Sequence, residues 1–248
     1  MPEKKDFRSL ELISGLFAGL LIIANVCSAR IISVGPMSFD AGTLTFPLTY
    51  IFGDILTEVY GYARARRVIW TAFVALLLSF LAIHLVSLFP PAEGWDGGPA
   101  WDKTMALTPR IAVASLAAFL AGEFANACAL SRLKARDPKK GPALRFVFST
   151  LVGQALDTAL FATIAFLGTL GTGLFVTLLV SNYAYKCAIE IILLPVTLLV
   201  VKRLKKSEGA DHVDRDVSLS PFAWGLGPSP GAADKAGDPG DGKPGERG

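Results

Sequence analysis

The chain has 248 residues, of which 52% are hydrophobic and 18% charged, with a formal net charge of +3 and a mean hydropathy of +0.49. A soluble domain of that length spreads its polar residues along the sequence, whereas here they are gathered between long apolar blocks, which excludes an ordinary water-soluble globule. With neither an aromatic-interleaved basic stripe nor a zinc-finger spacing, the basic excess points to anionic lipid headgroups and not to DNA or RNA.

Six blocks carry the apolar content, at about 10–33, 44–62, 68–89, 107–130, 146–170 and 174–201. Each is close to the ~20 residues that an α-helix needs to cross ~30 Å of hydrocarbon. They lack the short alternation of barrel strands, and lipid admits only helices or closed barrels because nothing else satisfies its own amides there. The expected fold class is an all-α polytopic membrane protein with six transmembrane helices. The first block follows Lys4, Lys5 and Arg8, as a signal peptide would, but its length and its place in a series of like segments make it a span. Its interior polar residue is Asn25.

The second block contains LTYIFGDILTEVYGY, residues 48–62, with Asp54 and Glu58 four positions apart and hence on one helical face. A carboxylate at the centre of a lipid-exposed helix costs roughly 2.5–3.5 kcal/mol, so both are expected to face the bundle or a wet cavity. In a narrow cavity they could share a proton. The plainer alternative places Glu58 at the cytoplasmic boundary, paired to Arg64 or Arg66. Pro47 and Gly53 allow a bend or a close approach in this span.

After the third block, PPAEGWDGGPAWDKT, residues 90–104, is expected to be a turn-rich external loop whose Trp95 and Trp101 anchor at the headgroups. The fourth block supplies Glu123 and Asn126. The link RLKARDPKKGPALR, residues 132–145, joins the two halves, with Pro138 and Pro142 limiting its helix. The fifth block supplies Gln154 and Asp157 in GQALDT, and the sixth supplies Asn182, Tyr183, Lys186 and Glu190 in VSNYAYKCAIE. Lys186 and Glu190 could also neutralise one another across a turn. Cys27, Cys128 and Cys187 fall within spans without CxxC spacing, as packing residues and not a disulfide framework. Residues 1–206 are expected to form the six-helix transmembrane domain, and 207–248, too rich in Gly and Pro to build a core, a disordered cytoplasmic tail with no binding role.

Lys and Arg fall unevenly on the two sides of such a bundle. One side receives 16, in the groups 4–8, 64–67, 132–145 and 202–206, and the other receives Arg30, Lys103 and Arg110. The positive-inside rule then places both termini in the cytoplasm. ANVCSAR from Ala24 and ANACALSR from Ala125, with GDILTE from Gly53 and GQALDT from Gly153, are offset by 101 and 100 positions. They suggest an inverted 3+3 repeat of the kind found in alternating-access transporters, with chance similarity among small residues as the alternative.

Ionisable side chains in four of the six spans exceed what helix-to-helix glue requires. They suit a small planar heterocycle: a carboxylate accepts from an amino group and an adjacent ring N–H, an Asn or Gln serves a carbonyl or ring nitrogen, and Tyr50, Tyr183 or Tyr185 covers the face. No HExxH occurs, His84 is isolated from the acidic pair, and no cofactor or metal is expected.

The stretch FPLTYIFGDILTEVYGYARARRVIW, residues 46–70, closely resembles the signature of the bacterial queuosine precursor transporter family, also described as the vitamin uptake transporter family. The resemblance extends through Asn25, GEFANA from Gly122, GQALDT and SNYAYK from Ser181, over most of residues 10–205. It implies a six-span, multi-pass protein of the bacterial inner membrane that is not an enzyme and imports 7-cyano-7-deazaguanine and its aminomethyl relative. Asp54, Glu58, Glu123, Asn126, Gln154, Asp157, Asn182 and Lys186 match its recurrent polar positions. With Asn25, Tyr183 and Glu190 they form the expected set for substrate binding or coupling, Asp54 and Asp157 on the guanine-like donor edge, Glu58 or Glu123 for an amine, a proton or a gate. Lipid and the 7-deazaguanine are the expected partners, with proton coupling and a homo-oligomer left open. The competing functions are a substrate-capture subunit of an energy-coupling-factor importer, an intramembrane enzyme and a structural membrane protein.

Overall fold

The structure, a computed structural model, describes residues 7–28, 30–34, 37–105, 109–138, 141–168, 171–214 and 217–223. Lys4, Lys5, Lys139 and Lys140 of the charge count, and residues 224–248 of the expected tail, lie outside them. In chain order the elements are α1 (Arg8–Cys27), an antiparallel hairpin of β1 (Ile31–Val34) and β2 (Met37–Asp40), a 3-10 turn (Ala41–Leu44), α2 (Phe46–Tyr60), α3 (Tyr62–Ser87), α4 (Gly98–Met105), α5 (Pro109–Arg136), α6 (Pro142–Phe166) and α7 (Thr172–Glu208).

Among the described residues, α1, α3, α5, α6 and α7 are long and apolar enough to cross a membrane. Leu12, Leu16, Leu78, Leu81, Leu85, Phe148, Ile192 and Val196 are exposed on these helices, a surface that suits hydrocarbon and not water. The chain is a multi-pass membrane protein. The second apolar block gives a different element: α2 has 15 residues, about 22 Å at 1.5 Å per residue, and 11 of the 15 are buried. It is the interior helix of the bundle, packed against α1, α3, α5 and α7. Phe17, Leu21, Leu56, Ile69, Phe119 and Leu130 form the apolar core between these helices.

Three local features depart from the expected boundaries. The first span ends at Cys27, and the β-branched Ile31 and Ile32 pair in the hairpin, with Ile31 opposite Asp40. Part of the 90–104 loop is helical, and Trp101 on α4 donates its indole N–H to Ser87 Oγ at 2.9 Å, so its polar edge is tied to the end of α3. The boundary at Lys206 falls inside α7, which continues to Glu208 and stops at left-handed Gly209 (φ +56°). Residues 209–214 and 217–223 then lie against the bundle, where Val217 and Leu219 pack on the core. That stretch has one Pro and no Gly after Gly209, and it is ordered by its contacts, contrary to the expected onset of disorder at Ser207.

The helix ends sort into two groups. The amide of Ser9, opening α1, donates to Glu208 at the end of α7, and Phe7 packs edge-on against Tyr60 at the end of α2. Glu58 near the end of α2 meets Lys134 near the end of α5, Arg145 near the start of α6 and Lys205 near the end of α7. At the far end, Arg110 opening α5 donates to the carbonyls of Ile164 and Leu167 closing α6.

The tightest helix contact is between α5 and α6, where Gly122 and Gly153 face one another. A Cβ on Gly153 would lie 3.0 Å from the Gly122 carbonyl oxygen and 2.8 Å from Asn126 Cβ, closer than packed atoms come. Gly153→Ala is expected to lose about 1–3 kcal/mol to overpacking. Gly19→Ala, where nothing lies within 4 Å of the added carbon, should not. Thermal unfolding in detergent checks the pair, and equal midpoints for the two variants would refute the close contact.

Candidate functional site

The sequence places carboxylates, amides and one lysine on α2, α5, α6 and α7, and the bundle turns them into two layers. In the central layer Asn126 Nδ2 of α5 donates to Asp54 Oδ1 of α2 at 2.8 Å, both side chains buried. On the other side of the layer Lys186 Nζ of α7 meets Asp157 Oδ2 of α6 at 2.5 Å, with the ammonium 5.0 Å from the centre of the Phe46 ring. One turn along, Gln154 of α6 donates through Nε2 to Glu190 of α7. Asp54, Thr150 and Glu190 line one narrow crevice.

Glu123 of α5 lies between these pairs and is fully buried. It sits where α2 has no side chain, since a Cβ on Gly53 would fall 2.5 Å from Glu123 Oε2. Neither oxygen of Glu123 has a hydrogen-bond partner. Asn126 Oδ1, Gln154 Oε1, Glu190 Oε2 and the Tyr50 hydroxyl are also buried and without partners. Glycine again provides the space: a side chain on Gly122 would meet the Tyr50 hydroxyl, and one on Gly153 the Tyr50 ring. The central layer therefore holds four carboxylates against one ammonium and offers more acceptor oxygens than it has donors. Unpartnered buried acceptors cost roughly 1–3 kcal/mol each, so a donor-rich solute between them recovers a large energy.

The second layer surrounds Glu58, one turn from Asp54 along α2. Glu58 Oε1 accepts from Arg145 Nη2 at 2.8 Å and Lys205 Nζ at 2.6 Å, and Lys134 Nζ stands 3.7 Å away. Asp211, beyond α7, binds Lys134 at 2.6 Å and Lys205 at 2.9 Å. Glu58 thus shares a helical face with Asp54 as expected but belongs to a separate, cation-rich layer. It does not pair with Arg64 or Arg66; Arg64 donates to the Tyr60 carbonyl and Arg66 to those of Ser218 and Ser220.

Eight of the eleven expected residues fall in these two layers: Glu58 in the outer one, and Asp54, Glu123, Asn126, Gln154, Asp157, Lys186 and Glu190 in the central one. Lys186 and Glu190 engage α6 and not each other. Asn25 donates to the Leu21 carbonyl of its own helix and lines a crevice with Ser79 and Phe80 of α3, away from the central layer. Tyr183 reaches the Leu151 carbonyl on the outer side of α6, and Asn182 is half-buried beside it. Lys134, Arg145 and Lys205 were legible only as rim charges, because nothing in their local sequence marks a shared partner 76 to 147 positions distant, and Asp211 fell in the tail that was given no binding role.

A family model described as "Putative vitamin uptake transporter" matches residues 40–200. The chain is 28% identical over 198 residues to a "Probable queuosine precursor transporter" of Bacillus subtilis (strain 168), covering 78% of this chain and 86% of that protein. It is 31% identical over 126 residues to the "Queuosine precursor transporter" of Escherichia coli (strain K12), covering 50% of this chain and 54% of that protein. A "Probable queuosine precursor transporter" of Haemophilus influenzae is 27% identical over 125 residues, again about half of each chain. No solved structure matches.

The Asp157–Lys186 pair sits where a lone charge is costly. Lys186→Met should destabilise the protein by about 3–5 kcal/mol, the usual result of removing one member of a buried pair. Adding Asp157→Asn to it should recover most of that loss. Unfolding midpoints of the two singles and the double in detergent measure the coupling, and additive losses would show that the two groups do not depend on each other.

Proposed function

The chain belongs to the vitamin uptake transporter family, and from that membership we propose that it takes up queuosine precursors, 7-cyano-7-deazaguanine or its aminomethyl relative, across the bacterial inner membrane. The surplus of buried acceptor oxygens in the central layer carries this reading. A 7-deazaguanine presents a ring N–H beside an exocyclic amino group, two donors spaced for the fork of one carboxylate. Glu123, with both oxygens unpartnered, is the group placed to receive that edge. Asp54 and Asp157 already have Asn126 and Lys186, so the donor-edge role moves from them to Glu123. Asn126 Oδ1 and Gln154 Oε1 remain for further N–H groups, the Tyr50 ring for the heterocycle's face, and Glu190 Oε2 for the ammonium of the aminomethyl compound.

Every polar side chain named in the central layer is buried, so solute entry requires helices to part on one side and release requires them to part on the other, which is alternating access. We take the bundle to have six crossings, the 3-10 turn and α2 together reaching about 30 Å. The gathering of the α1 start, α2 end, α5 end, α6 start and α7 end supports an alternating path with both termini on the basic, cytoplasmic side. An inverted repeat of α1–α3 and α5–α7 rests on the sequence offsets of 101 and 100 positions, which pair Gly53 of α2 with Gly153 of α6. Asp54 and Glu190, on one crevice, are the candidates for proton coupling.

Proteoliposomes containing only the purified chain are expected to accumulate labelled 7-cyano-7-deazaguanine saturably. Binding without uptake would instead identify a capture subunit that needs a separate ATPase, and chemical alteration of the solute would identify an enzyme. Glu123→Gln keeps the shape but gives up charge-assisted bonds of about 1.5–3 kcal/mol, so solute affinity should fall ~10- to ~150-fold at unchanged protein content. Retention of native affinity by that variant would remove Glu123 from the site.

A further inference from the structure

The stretch after α7 is composed for contact and not for disorder. It leaves Gly209, crosses the corner between α2 and α3, and runs along the groove between α3 and α5. Asp214 Oδ2 accepts from the Tyr62 amide at 2.8 Å and the Ser131 hydroxyl at 2.9 Å, bridging the start of α3 to α5. The close pass at the corner needs Gly61, whose φ is +83° and where a Cβ would lie 2.9 Å from Asp214 Oδ1. Further on, Trp70 Nε1 donates to the Pro221 carbonyl at 2.9 Å, and Cys128 Sγ of α5 lies 3.5 Å from the Leu219 carbonyl oxygen.

These contacts fall on α3 and α5 beside the Glu58 layer, to which α5 contributes Lys134. Without Asp211 that layer would hold Lys134, Arg145 and Lys205 against the single charge of Glu58; with it, each lysine bridges two carboxylates. Burial pushes the Asp211 carboxyl up, but the bonds from Lys134 and Lys205 more than reverse this and hold it below the usual carboxylate range. The Asp211 side chain is 58% exposed, so the strap meets the layer from the solvent side and can leave without any transmembrane helix unfolding.

We propose that residues 209–214 and 217–223 are a latch on the cytoplasmic gate: docked, the strap holds the ends of α3, α5 and α7 together beside Glu58 and keeps the central layer closed on that side, and its release lets those helix ends part. This rests on the transport reading given above. The docked strap is the closed gate, and Asp211 is a positioning residue that acts through Lys134 and Lys205 and does not touch solute.

Cys128 provides the test on the full chain in proteoliposomes. In a Cys27→Ser, Cys187→Ser background, first shown to take up labelled 7-cyano-7-deazaguanine like the native chain, Leu219→Cys places a second thiol beside Cys128. Oxidation that joins the two, verified by mass, should reduce uptake at least tenfold and reduction should restore it, while solute binding in detergent persists. Uptake at the uncrosslinked rate with the strap covalently held would overturn the latch. Without Leu219→Cys, the labelling rate of Cys128 by a maleimide should rise severalfold during turnover and also in Asp211→Asn without solute. A rate unchanged by both would equally overturn it, even if the crosslink does not form. Absence of uptake by the native chain would defeat the transport reading itself, before any strap variant is compared.

Discussion

Lipid offers no partner to a charge, and the arrangement of this bundle follows from that constraint. A helix bearing Asp54 and Glu58 cannot present them to hydrocarbon, so α2 lies inside and the longer helices give it their apolar sides. Once α2 is interior, each of its carboxylates must find a partner on another helix. Asp54 finds an amide on α5, and Glu58 finds cations on α5, α6 and α7. Two carboxylates on one helix thus organise contacts to three others.

Glycine is the second requirement, because side chains as short as Asp and Asn bridge helices only when the backbones are close. Gly122 and Gly153 bring α5 and α6 together, and the space they leave is filled by Tyr50. Gly53 leaves room for Glu123 in the same way. In water such contacts would be driven by hydrophobic burial; between helices already in lipid they rest on close packing and on polar pairs, as small-residue interfaces in membranes do. The polar layer and the small residues are therefore one device.

The sequence displays what depends on single helices and conceals what depends on pairs. Long apolar blocks announced α1, α3, α5, α6 and α7, and the i, i+4 spacing of Asp54 and Glu58 announced an interior face, since period and length are local properties. Local spacing could not show that Lys186 would turn to Asp157 instead of Glu190, because both are within reach on composition alone. It also misjudged the stretch after Lys206, where the Gly- and Pro-rich residues further on obscured a segment with its own acidic and apolar anchors in Asp211, Asp214, Val217 and Leu219. Asn25 likewise could not be placed from its span alone: it donates to the Leu21 carbonyl of its own helix and lines a crevice against α3.

The two layers differ in the sign of their charge excess, and this separates their roles. Around Glu58 the cations outnumber the carboxylate, and one oxygen accepts from two helices at once, an arrangement that holds helix ends in place. In the central layer the balance is reversed, with carboxylates and amide oxygens exceeding the available donors. A cation-rich layer offers little to a molecule whose edge is made of N–H groups, whereas an acceptor-rich one gains most from it. Since α2 carries one member of each layer a single turn apart, any shift of α2 at Asp54 also moves Glu58 against its cations. On the transport reading proposed above, solute binding and gate opening are then two consequences of the same helix displacement, with no separate signal needed between them.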